Sequence, residues 1–221
     1  MKSIGIICEY NPFHNGHMYH INKIKEMFPD SVIILVMSGN FTQRGDASII
    51  NKWNKTKIAL NHNIDLVIEL PFIFTNQSAD TFAFGACAIL NYLKVDYLVF
   101  GSESDNIDYI KDIVNIEDDK KYQEKVKELL DNGINYPTAL SKALKDFNIN
   151  LSDSSNDLLG ISYVKALKKL NSKITPITIK RTNNYNDKTL TKYITSATSI
   201  RENINKRSIK KYVPKDTYKC L

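Results

Sequence analysis

Short runs of almost continuous apolar residues punctuate the first hundred positions: Ile4 to Cys8, Val32 to Met37, Asp65 to Leu70 and Tyr97 to Phe100. Runs of this length without strict alternation are what strands buried on both faces look like. Between them, Gly16 to Phe28, Lys52 to Asn61 and Ala79 to Leu93 carry apolar residues at helical spacing. The alternation predicts a βαβαβαβ unit, an α/β fold built on a Rossmann-like parallel sheet with right-handed crossovers. A later run, Ile174 to Ile179, adds one more parallel strand, for a sheet of about five strands with flanking helices.

Such sheets bind ligands beyond the carboxyl ends of their strands, where strand order reverses. The unusual residues of this chain fall there. Glu9-Tyr10-Asn11-Pro12-Phe13-His14 follows the first strand, Ser38 to Gly45 the second, Glu69-Leu70-Pro71 the third, Gly101-Ser102-Glu103 the fourth and Lys180-Arg181 the last. Between Asn106 and Leu144 the pattern turns helical and charged, predicting an insertion of exposed helices over about 106–150. Asn156 to Leu170 is amphipathic again. "TSATSIRENI" reads as a capped helix start with Ser196 or Thr198 as N-cap, and Asn205 to Leu221 is basic and lacks a complete apolar face.

Composition narrows the class. Hydrophobic residues make up 43% and charged residues 24%, as in an ordinary globular protein, and no apolar run is long enough to cross a bilayer. The apolar stretch after Met1-Lys2-Ser3 is too short for a signal peptide, so a cytoplasmic protein is expected. Cys8, Cys87 and Cys220 are far apart and odd in number, which argues against a disulfide framework; Cys8 and Cys87 read as small buried residues. A net charge of +6, part of it in Lys206, Arg207, Lys210, Lys211, Lys215 and Lys219, favours an anionic partner such as a nucleotide or RNA.

The densest chemistry lies in "EYNPFHNGHMYH", residues 9–20. A helix starting near Asn15 puts His14 and His17 on its first turn, where unpaired N–H groups and the helix dipole suit phosphate oxygens. Gly16 removes a side chain where a nucleotide approaches the backbone, and Asn11-Pro12-Phe13 fixes the turn from strand to helix. Zinc is disfavoured, because helical ligand pairs usually lie four apart and no third ligand is at hand. His20 lies a turn further in, as a ribose-side or structural residue. At the far end of the predicted sheet, Ser196, Thr198 and Ser199 offer hydroxyls and N–H groups at a second helix start, with Arg201 as a fixed cation. Glu69 and Glu103 are rim carboxylates better read as hydrogen-bonding groups than as magnesium ligands. Arg44 and Lys52 are candidate contacts for RNA or a small anion, and Trp53 is read as a packing residue.

His14-Asn15-Gly16-His17 matches the H-x-G-H signature of the nucleotidylyltransferase superfamily. With its neighbours "GIICEYNPFHNGHMYH", "VMSGNFTQRGDAS", "DLVIELP", "QSADTFAFGA" and "FGSES", in that order, the chain resembles the tRNA-Met cytidine acetate ligase family from residue 3 to about residue 205. The resemblance implies a nucleotidylyltransferase-like ATP-binding domain over 1–205 and, over 206–221, the start of a truncated helical region. It implies that ATP, with Mg2+ accompanying it, and acetate give acetyl-adenylate, and that acetyl passes to the wobble cytidine of elongator tRNA-Met. It also implies nucleotide contacts from Ile7, Cys8, Glu9, Tyr10, Asn11, Pro12, Phe13, His14, Asn15, Gly16, His17, Met18, Tyr19 and His20, and from Gly101, Asn156, Arg181, Ser196, Thr198 and Ser199. His14, His17 and Arg201 are the expected catalytic residues. The family's Tyr-His-Asp after its arginine is replaced here by Tyr185-Asn186-Asp187, so any role of that imidazole is lost. Ser155 and Asp157 also depart from its pattern, leaving open which side chain beside Asn156 faces the ligand. A nucleotidylyltransferase acting on a phosphorylated metabolite, or a non-catalytic nucleotide- or RNA-binding module, are the alternatives.

Overall fold

The computed structural model describes residues 1–149, 155–181 and 194–221. The apolar runs form β1 (Ser3–Cys8), β2 (Val32–Ser38), β3 (Leu66–Leu70), β4 (Tyr97–Ser102) and β5 (Thr175–Lys180), five parallel strands in the order β3-β2-β1-β4-β5. This is the parallel α/β sheet that the hydrophobic pattern predicts. β4 runs on to Ser102 because its ladder with β5 continues through Gly101 and Ser102, opposite Ile179 and Lys180.

Side chains alternate between two cores. Ile4, Ile6, Ile33, Leu35 and Val99 join Ile21 and Ile24 of α1 (Asn15–Met27) and Ile58 of α2 (Lys52–Asn61) on one face. Beyond the short α3 (Phe72–Thr75), α4 (Ala79–Tyr92) covers the other face, where Phe82 and Leu90 pack on Ile7, Ile34, Val36 and Leu98. Each fully buried aliphatic contributes roughly 1.5–3 kcal/mol relative to exposure. α4 crosses β1 closely: a Cβ on Gly5 would lie 2.7 Å from Leu90 Cδ1. Three helices, α5 (Ile107–Ile116), α6 (Lys120–Asp131) and α7 (Tyr136–Lys145), fill the charged segment after β4, each with an Asn or Asp as N-cap. α8 (Ser155–Lys169) then returns to the sheet, with Ile161 and Val164 in the α4-side core.

The chain runs outward from β1 to β3 and then recrosses to place β4 and β5 on the other side of β1. Strand order therefore reverses between β1 and β4, and their ladder pairs only Ile4 with Tyr97 and Gly5 with Leu98. This seam is where such a sheet opens its ligand crevice.

The basic C-terminal segment corrects the expectation drawn from its sequence. After α9 (Ala197–Glu202), a 3-10 turn at Arg207–Lys211 and α10 (Lys215–Cys220) bury Ile209, Tyr212 and Val213 with Ile200. The apolar residues at 209, 212 and 213 are too few for a free helix but enough to dock a short one. Trp53 is a second correction. It is 75% exposed, because α2 buries Lys55, Ile58 and Ala59 instead. Among the described residues, no helix is long and apolar enough to cross a membrane.

Candidate functional site

α1 begins with two histidines that cap each other. His14 is the N-cap, its Nδ1 accepting the Gly16 N–H at 3.0 Å, while the His14 N–H donates to His17 Nδ1 at 3.2 Å. The rings stack with centroids 3.8 Å apart. Two otherwise orphaned helix N–H groups are satisfied reciprocally, as Ser and Glu do in the usual capping box. Because both Nδ1 atoms accept, these hydrogen bonds assign both imidazoles as the Nε2–H tautomer. Each keeps one N–H donor for a ligand.

Residues around the cap hold it in place. Tyr10 and Phe13 are fully buried; Tyr10 packs against His17 with centroids 4.6 Å apart, and Phe13 meets Tyr10 edge-on at 4.8 Å. Their side chains therefore act on the cradle from beneath. Ile7 is likewise buried, Met18 and Tyr19 pack against the α1-side core, and Pro12 is buried in the turn. Asn11 Oδ1 accepts the Ile49 N–H at 2.9 Å, fastening the loop after β2 to the turn. A Cβ on Gly16 would lie 2.8 Å from His14 Cε1 and 3.3 Å from Ile194 Cγ2. The glycine thus makes room for the capping ring.

Lys55 is a residue the sequence reading missed. It is 1% exposed, and its Nζ donates to the carbonyls of Glu9 and Ser38, each at 2.9 Å, joining the ends of β1 and β2. Burial pulls its pKa down to about 8 against the opposing pull of Glu9 and Glu69.

Beyond β4 and β5, Arg181 Nη1 donates to Asn156 Oδ1 at 3.3 Å, and Asn156 Nδ2 donates to Glu103 Oε1 at 2.5 Å. Gly101 lies beneath: a Cβ there would sit 3.1 Å from Arg181 Cγ. Asp157, 1% exposed, turns the other way and accepts from Ser102 Oγ, the Glu103 N–H and the Ser104 N–H. Asn156 is therefore the member of the pair on the Arg181 side, and Asp157 anchors the turn after β4.

The second motif reaches the first through Arg201. Its Nη1 donates to the Asn11 carbonyl at 2.7 Å and its Nη2 to Thr198 Oγ1 at 3.1 Å. Ser196 is the N-cap, receiving the Ser199 N–H at 3.0 Å. Ser196 and Ser199 are buried, whereas Thr198 and Arg201 are half-buried. The C-terminal segment closes the arrangement, since the Asn15 N–H donates to the Tyr212 carbonyl and Asn15 Nδ2 to that of Lys211, both at 2.9 Å.

The electrostatics are consistent. Burial, with Arg181 and Arg201 adding to it, holds His14 down to about 3; burial and His14 hold His17 well below the usual histidine range; burial and Arg181 hold His20 down to about 4. The imidazoles are neutral donors beside permanent cations. His20 Nε2 is buried without a hydrogen-bond partner, the mark of a group left for a ligand or water. Cys87 is fully buried, but Cys8 is only half-buried at the end of β1, where desolvation raises its thiol to about 12. Glu69 binds Lys52 Nζ at 2.8 Å, and Glu103 is held by Asn156 and the Asp157 N–H. Tyr185-Asn186-Asp187 lies outside the described residues.

The chain is 46% identical over its whole length to a tRNA(Met) cytidine acetate ligase of Caldicellulosiruptor bescii, covering 57% of that protein, and 49% identical over 93% of its length to one from Acetivibrio thermocellus, covering 52%. It is also similar to crystal structures of Thermotoga maritima TmcAL at 36% identity, with all of the chain and about half of each neighbour superposed. The TM-score is 0.94 against an apo form and 0.90 against a form bound with alpha-thio ATP. The chain spans a little over half the length of these relatives. Their names bear out the resemblance carried by the motifs. The HIGH Nucleotidyl Transferase family matches residues 1–221, from end to end, and the chain belongs to that family.

Proposed function

We propose that the chain is the ATP-binding part of a ligase that activates acetate and acetylates the wobble cytidine of elongator tRNA-Met. The observation that carries this reading is the reciprocal histidine cap, which leaves two neutral Nε2–H donors at the start of α1, at the switch point of the sheet. A relative bound with alpha-thio ATP supports ATP as the ligand.

In the proposed first step an acetate oxygen attacks the α-phosphorus, the bond from α-phosphorus to the bridging oxygen breaks, and pyrophosphate leaves. Acetate is already ionised, so no general base is needed. The residues position phosphates and stabilise developing charge. His14 and His17 donate to phosphate oxygens, and Arg181 and Arg201 supply charge that cannot be lost by deprotonation. Thr198 offers a hydroxyl, while the buried Ser196 and Ser199 build the turn that carries it. In the second step the cytidine N4 attacks the acetyl carbonyl, AMP leaves and the amine loses a proton. Neither rim carboxylate fits magnesium as the structure stands: Glu69 is engaged by Lys52, and Glu103 by Asn156 and Asp157. Magnesium is proposed to accompany ATP. ATP and tRNA as substrates favour the cytoplasm, with residues 1–205 as the nucleotide-binding unit.

ATP–pyrophosphate exchange, measured with and without acetate and with and without bulk tRNA, tests this reading. Acetate-dependent exchange is expected. Dependence on a phosphomonoester would assign the scaffold to a metabolite nucleotidylyltransferase, and ATP binding without exchange to a non-catalytic module.

A further inference from the structure

Three large aromatic rings project into solvent beside the cradle. Phe41 is 43% exposed, Trp53 75% and Phe72 62%. Phe41, in the loop after β2, and Phe72, at the start of α3, meet edge-on with centroids 5.6 Å apart. Trp53 joins them through its neighbour Lys52, whose N–H donates to Asn40 Oδ1 at 2.9 Å and whose Nζ lies 5.3 Å from the indole centroid. Lys52 Nζ is shared with Glu69, so the ledge itself is close to neutral. It is nonetheless tied to the cradle: the Gln43 N–H donates to Glu9 Oε1, and the Ile49 N–H to Asn11 Oδ1. Exposing several large rings in one place is costly for a surface without a partner.

A second surface meets the same turn from the C-terminal side. The segment whose Lys211 and Tyr212 carbonyls accept from Asn15 exposes Lys206, Arg207, Lys210 and Lys211. Aromatic faces for bases and a run of cations for phosphates are the two components of a single-strand-binding surface. They converge on residues 9–15.

We infer that Phe41, Trp53 and Phe72 form a stacking ledge for unpaired bases of an RNA whose phosphates are held by Lys206, Arg207, Lys210 and Lys211. This rests on the reading of the chain as an RNA-acylating ligase: acetyl formed at the cradle must meet the exocyclic amine of a base, so an unpaired base has to be held at this rim. An RNA strand is favoured over a protein segment because the exposed groups are ring faces flanked by lysine and arginine.

Trp53 is the chain's single tryptophan, so its fluorescence reports stacking on the ledge alone. Titrating the whole chain with a short oligocytidylate should give saturable quenching, absent with the same strand in a duplex. Phe72→Ala should weaken binding by about 5- to 150-fold, the range for losing one stacked base. Replacing Lys206, Arg207, Lys210 and Lys211 together by Ala should flatten the salt dependence by up to roughly three in log–log slope. Trp53→Ala and Phe72→Ala should leave acetate-dependent pyrophosphate exchange as in the parent. No quenching by the single strand, equal quenching by the duplex, or Phe72→Ala binding within twofold of the parent overturns the ledge. So does self-association in sedimentation that Trp53→Ala abolishes, which would make the ledge a contact between copies. Absence of exchange in the parent would instead sink the ligase reading, while quenching would still report on the ledge.

Discussion

His17 carries two separable roles, and substitutions can split them. Its Nδ1 accepts the His14 N–H at 3.2 Å and completes the cap; its Nε2–H is the donor we propose for ATP. Asparagine places an acceptor near Nδ1 and nothing at Nε2, whereas glutamine reaches Nε2 and leaves Nδ1 empty. A cap bond is worth about 1 kcal/mol, and a donor to a charge-developing oxygen about 2.7–4 kcal/mol, or 100- to 1000-fold in rate. His17→Asn should therefore keep the parent's urea midpoint while acetate-dependent pyrophosphate exchange falls about 100-fold or more. His17→Gln should lose about 1 kcal/mol of stability but exchange well above the level of His17→Asn. His17→Ala should show both losses. If His17→Asn exchanges within about threefold of the parent, the Nε2–H is not a phosphate donor and the assignment fails.

Three further outcomes follow from the same contacts. His14 and His20 stay neutral in the folded chain down to about pH 3 and 4, and His17 also lies well below its ordinary value, whereas unfolded histidines protonate near 6.5. Unfolding then takes up protons, so stability present above about pH 6.5 is lost as pH falls, by about 1.4 kcal/mol per pH unit for each histidine. Urea midpoints at pH 7 and 5 measure this, and equal midpoints would contradict it. Gly16→Ala brings a Cβ to 2.8 Å from the His14 ring and should expel it from the cap; calorimetry should show ATP affinity down by roughly tenfold. Asp157→Ala strips the acceptor from Ser102, Glu103 and Ser104 and should cost about 3 kcal/mol by chemical denaturation, with Asp157→Asn recovering part of it.

The strands were legible because a sheet covered on both faces leaves unbroken apolar runs, and the rim followed from the strand ends. The cap was not, because histidine is not among the residues expected to cap a helix; the folded turn is what aims both Nδ1 atoms at backbone N–H groups. Lys55 was hidden for a similar reason. It lies among Lys52 and Lys57 on a short helix, and a lysine in such company reads as solvated, yet two strand-end carbonyls bury it. Trp53 failed in the opposite sense, since large aromatics are buried on average and nothing local marks the exposed face of α2. Asp157 looked like a departure beside Asn156, and the turn it anchors is set by residues about fifty positions away in the chain.

Positive potential and directional donation come from different side chains in this cradle. Burial holds His14, His17 and His20 neutral; Arg181, following β5, adds to it at all three, and Arg201, near the C-terminus, adds to it at His14. A cradle of imidazolium groups would lose its charge near neutral pH and would set like charges against the dipole at the start of α1. Guanidinium groups keep theirs at any working pH. The imidazoles, relieved of carrying charge, are fixed by their caps in the one tautomer that donates outward. A polyphosphate entering this site meets permanent cations and preset N–H groups without a proton having to arrive first. In the proposed ligase reaction, this preorganised arrangement stabilises charge moving onto the departing pyrophosphate with little reorganisation.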